Sequence, residues 1–376
     1  MKTAVLNGAI PGPYPHTKAW NALRVFDPNR KGREVVIGAS DAASACNVGY
    51  KSALQLYMEK RGEMPLEEDT DVSRRKKRMG NRIEPIILGE YVDQEGTTVL
   101  NGLPMFFSAK HPFMAATPDG FCMPPTETVI SSGKTLRIRT LHKLGKKVWR
   151  TGDAEKVLAH VTHGVDAKNS TSLMFDRTGD NEHKYGQEGT DAIPLSGLFQ
   201  GQQTCEVFGL SRVDFAVLKD GYYLNVYRVE RNDELIQAIV SAEKELAERI
   251  IAGDPPEPNW NHPGTRRCLQ AMHGCLIPGP PRTLPFEHLE HWLRLEALRK
   301  LEADAKEERE ALTNRLLHAA GDAEYVEFEG NDELRLKRID VADSLVTEEK
   351  LEALRQRIGQ VDRRGHVRLQ KVKRPK

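Results

Sequence analysis

HPFMAATPDGF, residues 111–121, and VTHGVDAK, residues 161–168, are the stretches on which the fold turns. Between 97 and 121 short β-like runs rich in Thr, Val and Phe are broken by Gly and Pro, which predicts a β-meander. The second stretch reads as the next core strand, so Asp166 and Lys168, two residues apart, project from one face while Ala167 turns away. An acid and a base then share one surface. With Asp119 at the end of a neighbouring strand, two carboxylates can hold a hard, oxygen-preferring cation such as Mg²⁺, and the ammonium can orient or deprotonate a water. That set suits phosphodiester hydrolysis, in which negative charge crowds on phosphoryl oxygens. By themselves the tripeptides are weak signals, since Pro-Asp-Gly is also a turn and Asp-x-Lys also a solvated ion pair.

Helical patterns stand on either side. Residues 41–61 and 71–95 read as helices, the second with Met79, Ile83, Ile87 and Tyr91 in one apolar stripe. Pro85 predicts a kink there or a fresh helix start. The segment 122–160 reads as an inserted hairpin or flap ending in the basic LHKLGKKVWR. PLSGLFQGQQTCEVFG, 194–209, predicts a helix closed by Gly209. VDFAVLKDGYYLNVYRV predicts a hairpin turning at Asp220-Gly221, and a long helix follows from an Asn232 cap to Gly253. The proline-rich DPPEPNWNHPG, 254–264, predicts the domain boundary. The chain is therefore expected to carry a first domain over 1–262, with its core over about 25–255, and a charged, mostly helical region over 263–376. In the latter, 286–320 and about 347–358 read as helices around a hairpin, YVEFEGNDELRLKR.

Bulk properties narrow the classes. The 376 residues are 39% hydrophobic and 29% charged, enough to build a core in a polar chain. Fifty-five Lys and Arg against 54 Asp and Glu leave a formal charge of +1, so attraction to a polyanion must come from local clusters. No run is long and apolar enough to span a bilayer, and the N-terminal stretch lacks a secretory core, which predicts a cytoplasmic protein. Five cysteines without a CxxC pair are poor material for a disulfide framework.

Four separated blocks give the chain a family likeness. Arg33-Glu-Val-Val-Ile-Gly-Ala-Ser40-Asp41, Met79-Gly80-Asn-Arg-Ile-Glu84-Pro85, His111-Pro112-Phe-Met-Ala-Ala-Thr-Pro118-Asp119-Gly120 and Gln200-Gly-Gln202 stand in order over about residues 25–255. Together they resemble the YqaJ-type viral recombinases, of which lambda exonuclease is the familiar member, within the PD-(D/E)xK nucleases. The third block, close to HPWMxATPDG, is the most specific.

The resemblance implies an α/β (α+β) fold, a restriction-endonuclease-like mixed sheet flanked by helices. It implies that Glu84, Asp119 and Asp166 hold Mg²⁺, with Mn²⁺ as a substitute and the Ala167 carbonyl as an added ligand. Lys168 would position the attacking water, Gln200 would support the site, and Arg33 and Ser40 would receive a 5′-phosphate. The implied activity is exonucleolytic digestion of double-stranded DNA ends, 5′ to 3′, exposing 3′ single strands for recombination. The implied setting is a phage or prophage in a bacterial cytoplasm, with a single-strand annealing protein as partner and a ring-shaped homo-oligomer as the assembly of relatives. Asp166 stands where the family usually has Glu, and the Asp119–Asp166 interval is long, which the insert accounts for. A rival reading is a nuclease scaffold that grips DNA ends or a partner without cutting. A third is an endonuclease that also cuts closed circles.

Two basic runs are candidates for the DNA backbone: Arg74, Arg75, Lys76, Lys77 and Arg78, directly before the Glu84 block, and the end from Arg363 to Lys376. Each reads equally as solvated charge. His262, Cys268, His273 and Cys275 lack the spacing of a zinc or iron–sulfur site. Trp149, among basic residues of the insert, reads as an anchor for the flap.

Overall fold

The computed structural model describes residues 5–64, 71–124, 128–131, 134–137, 161–175, 184–274, 279–323, 325–329 and 331–337. It is a mixed α/β structure in two compact units, Met1–Gly274 and Cys275–Lys376.

The first unit is built on a five-stranded sheet of order β11-β10-β9-β6-β3. Its strands are β3 (Thr98–Asn101), β6 (Gly120–Met123), β9 (His163–Ser170), β10 (Arg212–Lys219) and β11 (Tyr223–Glu230). Only β9 and β10 run parallel; the other pairs are antiparallel. A smaller sheet, β1-β4-β5-β2, joins β1 (Ile10–Pro11), β2 (Ile37–Gly38), β4 (Phe106–Phe107) and β5 (Met114–Ala116). The runs between 97 and 121 therefore divide between two sheets, where a single meander was expected. HPFMAATPDGF is the crossing point: Met114–Ala116 completes the small sheet, and four residues later Gly120 opens β6.

Packing requires a glycine at 120. A Cβ there would crowd Val99 and lie 2.9 Å from Val165 Cγ1, so only a bare backbone fits between the flanking strands.

Helices cover both faces of the large sheet. The helices before it are α1 (Lys18–Ala22), α2 (Ala42–Ala45), α3 (Ala53–Arg61) and α4 (Asp71–Glu95). Helix α4 sets Ile87, Leu88 and Tyr91 against Val99, Cys122, Val165 and Ala216. It passes through Pro85 without a break, because the lost backbone donor is outweighed by the apolar stripe that follows. On the opposite face α5 (Leu195–Phe208) packs Cys205, Val207 and Phe208 against Phe121, Phe215 and Tyr227. Gly209 closes α5 at φ 65°. Asp220 and Gly221, at φ 51° and 79°, supply the left-handed turn between β10 and β11.

Helix α6 (Asp233–Ala252) is capped by Asn232, whose side chain accepts from the Leu235 amide. The single helix expected over 41–61 is interrupted. Asn47, at φ 61°, turns the chain between α2 and α3, and its Oδ1 accepts from the Ala53 amide at 2.9 Å. Buried Gln203 of α5 donates to the carbonyls of Ile37 and Ala115, both at 3.1 Å, tying that helix to the small sheet.

The first unit extends past the expected limit of 262, through Gly274. Helix α7 (Pro263–His273) buries Thr265 and Cys268, and Cys268 joins the core that α3 and α6 share. His262 caps α7 and meets the Gly49 carbonyl at 3.0 Å. The prolines of 254–264 thus bend the chain within the domain. His262 and Cys268 are packing residues, and Cys275 lies outside the described residues.

Of the insert, β7 (Thr128–Ser131) and β8 (Lys134–Arg137) form an antiparallel hairpin. The LHKLGKKVWR run with Trp149 lies outside the described residues, as do the helix expected near 347–358 and the basic end from Arg363. The second unit contains α8 (Phe286–Ala320) and a hairpin of β12 (Tyr325–Phe328) with β13 (Asn331–Lys337). Among the described residues no helix is long and apolar enough to cross a membrane.

Glu243 on α6 is fully buried, and neither carboxylate oxygen has a hydrogen-bond partner. Burial, then the negative charge of Asp41, push its carboxyl well above the ordinary glutamate value. An acid so shifted weakens the fold as pH rises above its unfolded value, because the unfolded chain releases the proton first. Glu243→Leu is therefore expected to stabilise the protein by about 1–3 kcal/mol at pH 8 and by less at pH 5, read as the difference in thermal unfolding.

Candidate active site

Pairing between β6 and β9 ends at Gly120↔Val165. Beyond that step β9 still has β10 on one side, but on the other no strand meets its amides. Asp119, the residue just before β6, fills the gap, and its Oδ2 accepts from the Ala167 amide at 2.8 Å. The carboxylate takes the place of a missing strand, which fixes it beside Asp166.

Asp166 and Lys168 lie opposite Phe215 and Val217 of β10, both part of the core beneath α5. Asp166 is 4% exposed. Gln200, on α5, donates from Nε2 to Asp166 Oδ2 at 2.5 Å, and Lys168 Nζ forms an ion pair with Oδ1. That oxygen receives no well-formed hydrogen bond, so the ammonium holds it mainly by charge. Glu84 approaches from α4 and adds a third carboxylate to the same electrostatic neighbourhood.

Charge is out of balance in this group. Burial raises the Glu84 carboxyl above its usual range; Asp166 adds to the rise and Lys168 opposes it. Asp119 is pushed further up by burial and by Asp166, with Glu84 adding to Asp166. For Lys168 burial alone would favour the neutral amine, yet Asp166 and Asp119 reverse this and hold it above the ordinary lysine value. The two carboxylates thus favour the charged, hydrogen-bond-donating form of Lys168 in the free protein.

The carboxylates converge without closing. Among the described residues no three Asp, Glu, His or Cys side chains stand close enough to hold a metal ion. Oxygens of Asp119 and Asp166 are instead engaged by an amide, an ammonium and a side-chain amide. The donors still have the chemistry of a hard-cation site: oxygen only, mostly buried, with more negative charge than Lys168 offsets.

Ser40 lines a cavity of about 180 Å³ with Arg24, Lys60, Trp20 and Gln200. Lys60 is 5% exposed, donates to the Val36 carbonyl at 2.8 Å and pairs with Asp41 at 3.1 Å. Arg33 is not among the lining residues; its guanidinium stacks on Phe107, 4.3 Å from the ring centre. Arg33 thus stands apart from this cavity, whose lining places Arg24 and Lys60 beside Ser40. Neither cation announced itself in the sequence, because Lys60 reads as the charged end of a helix and Arg24 lies outside every motif.

The basic residues Arg74, Arg75, Lys76, Lys77 and Arg78 are exposed on the first turns of α4, six to ten residues ahead of Glu84. They are therefore about 9–15 Å from it along the helix axis. Arg74 pairs with Asp71.

Residues 29–196 match the family model described as the YqaJ-like viral recombinase domain, a span that holds Glu84, Asp119, Asp166 and Lys168 and stops four residues before Gln200. No curated protein matches the chain. Among solved structures it is similar to an alkaline exonuclease from Laribacter hongkongensis, with 15% identity and a TM-score of 0.38 over 63% of this chain and 94% of that one. The complex of that exonuclease with dAMP matches at 16% identity, with the same TM-score and coverage. With three of the four blocks in order and its acid-bearing strands adjacent, the segment 29–196 is similar over its whole length to a YqaJ-like viral recombinase domain.

Proposed function

We propose that the chain is a metal-dependent DNA exonuclease that hydrolyses phosphodiester bonds at duplex ends, working 5′ to 3′ and leaving 3′ single strands for phage-type recombination. The observation that carries this reading is the meeting of Asp119, Asp166, Lys168 and Gln200 at the point where β6 and β9 part. Mg²⁺ or Mn²⁺ would be held by the carboxylates of Glu84, Asp119 and Asp166 with the Ala167 carbonyl, and would supply positive charge against the phosphoryl oxygens.

The chain's own residues do the rest. Gln200 fixes the rotamer of Asp166 from α5. Lys168, held in its charged form, donates to and orients a water or a phosphoryl oxygen. Burial around Asp166 excludes bulk water, so each of these interactions is stronger than it would be at the surface. Arg24, Ser40 and Lys60 offer two cations and a hydroxyl to the terminal phosphate of a DNA end, and Gln200 lines the same cavity. The exposed basic turns of α4 extend the positive surface toward the duplex backbone.

The engagement of Asp119 and Asp166 oxygens by protein donors favours a second reading, a nuclease scaffold that grips DNA ends without cutting. Calorimetric titration with Mn²⁺ separates the two, since saturable binding is expected of the enzyme alone.

Linear duplex should disappear in a Mg²⁺-dependent manner with wild type, while Lys168→Ala should be slower by on the order of 10²–10⁴-fold. Equal digestion by the two proteins, or digestion without Mg²⁺, would count against the assignment. A covalently closed circle should survive. The raised carboxyls of Glu84 and Asp119 must shed protons before they hold a cation, so Mn²⁺ affinity should strengthen from pH 6 to pH 8 with proton release, checked by calorimetry in buffers of different ionisation enthalpy. Lys60→Ala should erase any preference for 5′-phosphorylated over 5′-hydroxyl ends, and Arg33→Ala should retain it, in a competition digest of the two substrates.

A further inference from the structure

A second polar cluster lies within the core between α4 and the sheet. The Tyr91 hydroxyl donates to Asp214 Oδ2 at 2.6 Å and stands 3.0 Å from His163 Nε2. Cys122 Sγ donates to the same hydroxyl at 3.8 Å. Asp214 is also paired with Arg212 Nε at 2.7 Å and with His163 Nε2 at 3.3 Å. Tyr91, Cys122 and Asp214 are fully buried. Asp214 Oδ1 and Arg212 Nε meet as an ion pair without a well-formed hydrogen bond, so the shortest directional bonds of the group are those of the Tyr91 hydroxyl, and these specify one arrangement of the elements they join.

Tyr91, Cys122 and His163 come from the elements that carry the three acids, while Asp214 and Arg212 belong to the neighbouring β10. Tyr91 is seven residues after Glu84 on α4, Cys122 three after Asp119 through β6, and His163 three before Asp166 on β9. Two helical turns span about 10.5 Å. Three strand residues span about 10 Å. Cys122 and His163 are register partners, and continuing that register brings Asp119 opposite Asp166. The cluster and the acids are therefore two parallel layers across the same three elements, separated by one common distance. Three residues along a strand turn the side chain to the other face, so the coupling runs through the strand backbones and the body of α4.

We propose that the Tyr91 hydroxyl, with Asp214 and His163, is a register lock: it sets the axial position of α4 against β9 and its parallel neighbour β10, and thereby places Glu84 relative to Asp166 and to Asp119, which is bonded to β9. This rests on the reading of those carboxylates as a divalent-cation site. Tyr91 is a positioning residue, two turns from the reaction. Apolar packing of Ile87 and Leu88 tolerates small sliding of a helix, whereas a hydrogen bond of 2.6 Å does not.

The test is Tyr91→Phe in the full chain, which removes one oxygen and keeps the ring. Ile87→Val, on the same buried stripe, serves as a control that loosens packing without touching the cluster. Mn²⁺ binding is read by calorimetry and stability by metal-free thermal unfolding. Tyr91→Phe should bind Mn²⁺ about tenfold or more weakly, with kcat lowered and KM for duplex ends unchanged. Ile87→Val should lower the unfolding temperature and leave the Mn²⁺ affinity at the wild-type value. Wild-type Mn²⁺ affinity in Tyr91→Phe, or an equal loss in both variants, overturns the lock alone. Failure of the wild type to bind Mn²⁺ saturably overturns the cation site and the lock with it.

Discussion

The structure depends on one hydrogen bond that stands in for a strand. Where β6 begins, β9 has five more residues to run along an otherwise unpaired edge, and the Asp119 carboxylate accepts the Ala167 amide that edge exposes. A buried amide left without a partner would cost on the order of 1–3 kcal/mol, so Asp119 is fixed by backbone economy before any chemistry is asked of it. The same parting of strands makes room for Asp166 and Lys168 on the face that α5 covers, within reach of Gln200. Gly120 allows the approach, since only a residue without a Cβ fits against Val99 and Val165.

Much of this was legible in the sequence. Two-residue periodicity placed Asp166 and Lys168 on one face, and the Asn232 and Gly253 limits of α6 and the Asp220-Gly221 turn followed from local chemistry. Other features need information that no local window carries. The runs from 97 to 121 have strand character throughout, but only tertiary packing decides that Met114–Ala116 joins one sheet and Gly120–Met123 another. The prolines before α7 predict a boundary, whereas burial of Cys268 in a distant core keeps that helix in the first unit. The stacking of Arg33 on Phe107, far along the chain, is likewise invisible in any local window.

Electrostatics separates the roles that the sequence left joined. A lysine two residues after an aspartate reads equally as water-orienting cation or base. Two neighbouring carboxylates outweigh burial and favour the charged form of Lys168, so in the free protein the ammonium organises its surroundings. Glu84 and Asp119 are displaced in the opposite chemical sense, toward the protonated form, by that same crowding. Crowding thus disfavours the charged carboxylates of the free protein, and under the proposed function a divalent cation would offset it.

Gln203 gives the outer cavity and the acids a common mount. Its buried amide grips the carbonyls of Ile37 and Ala115, one turn of α5 beyond the glutamine that touches Asp166. Ile37 leads directly to the loop bearing Ser40, and Ala115 leads to Asp119. Any displacement of one wall is accordingly shared by the other. The Ser40 cavity and the paired acids are indexed to a single rigid ruler, whose length is set by the span between two backbone carbonyls and one side-chain amide.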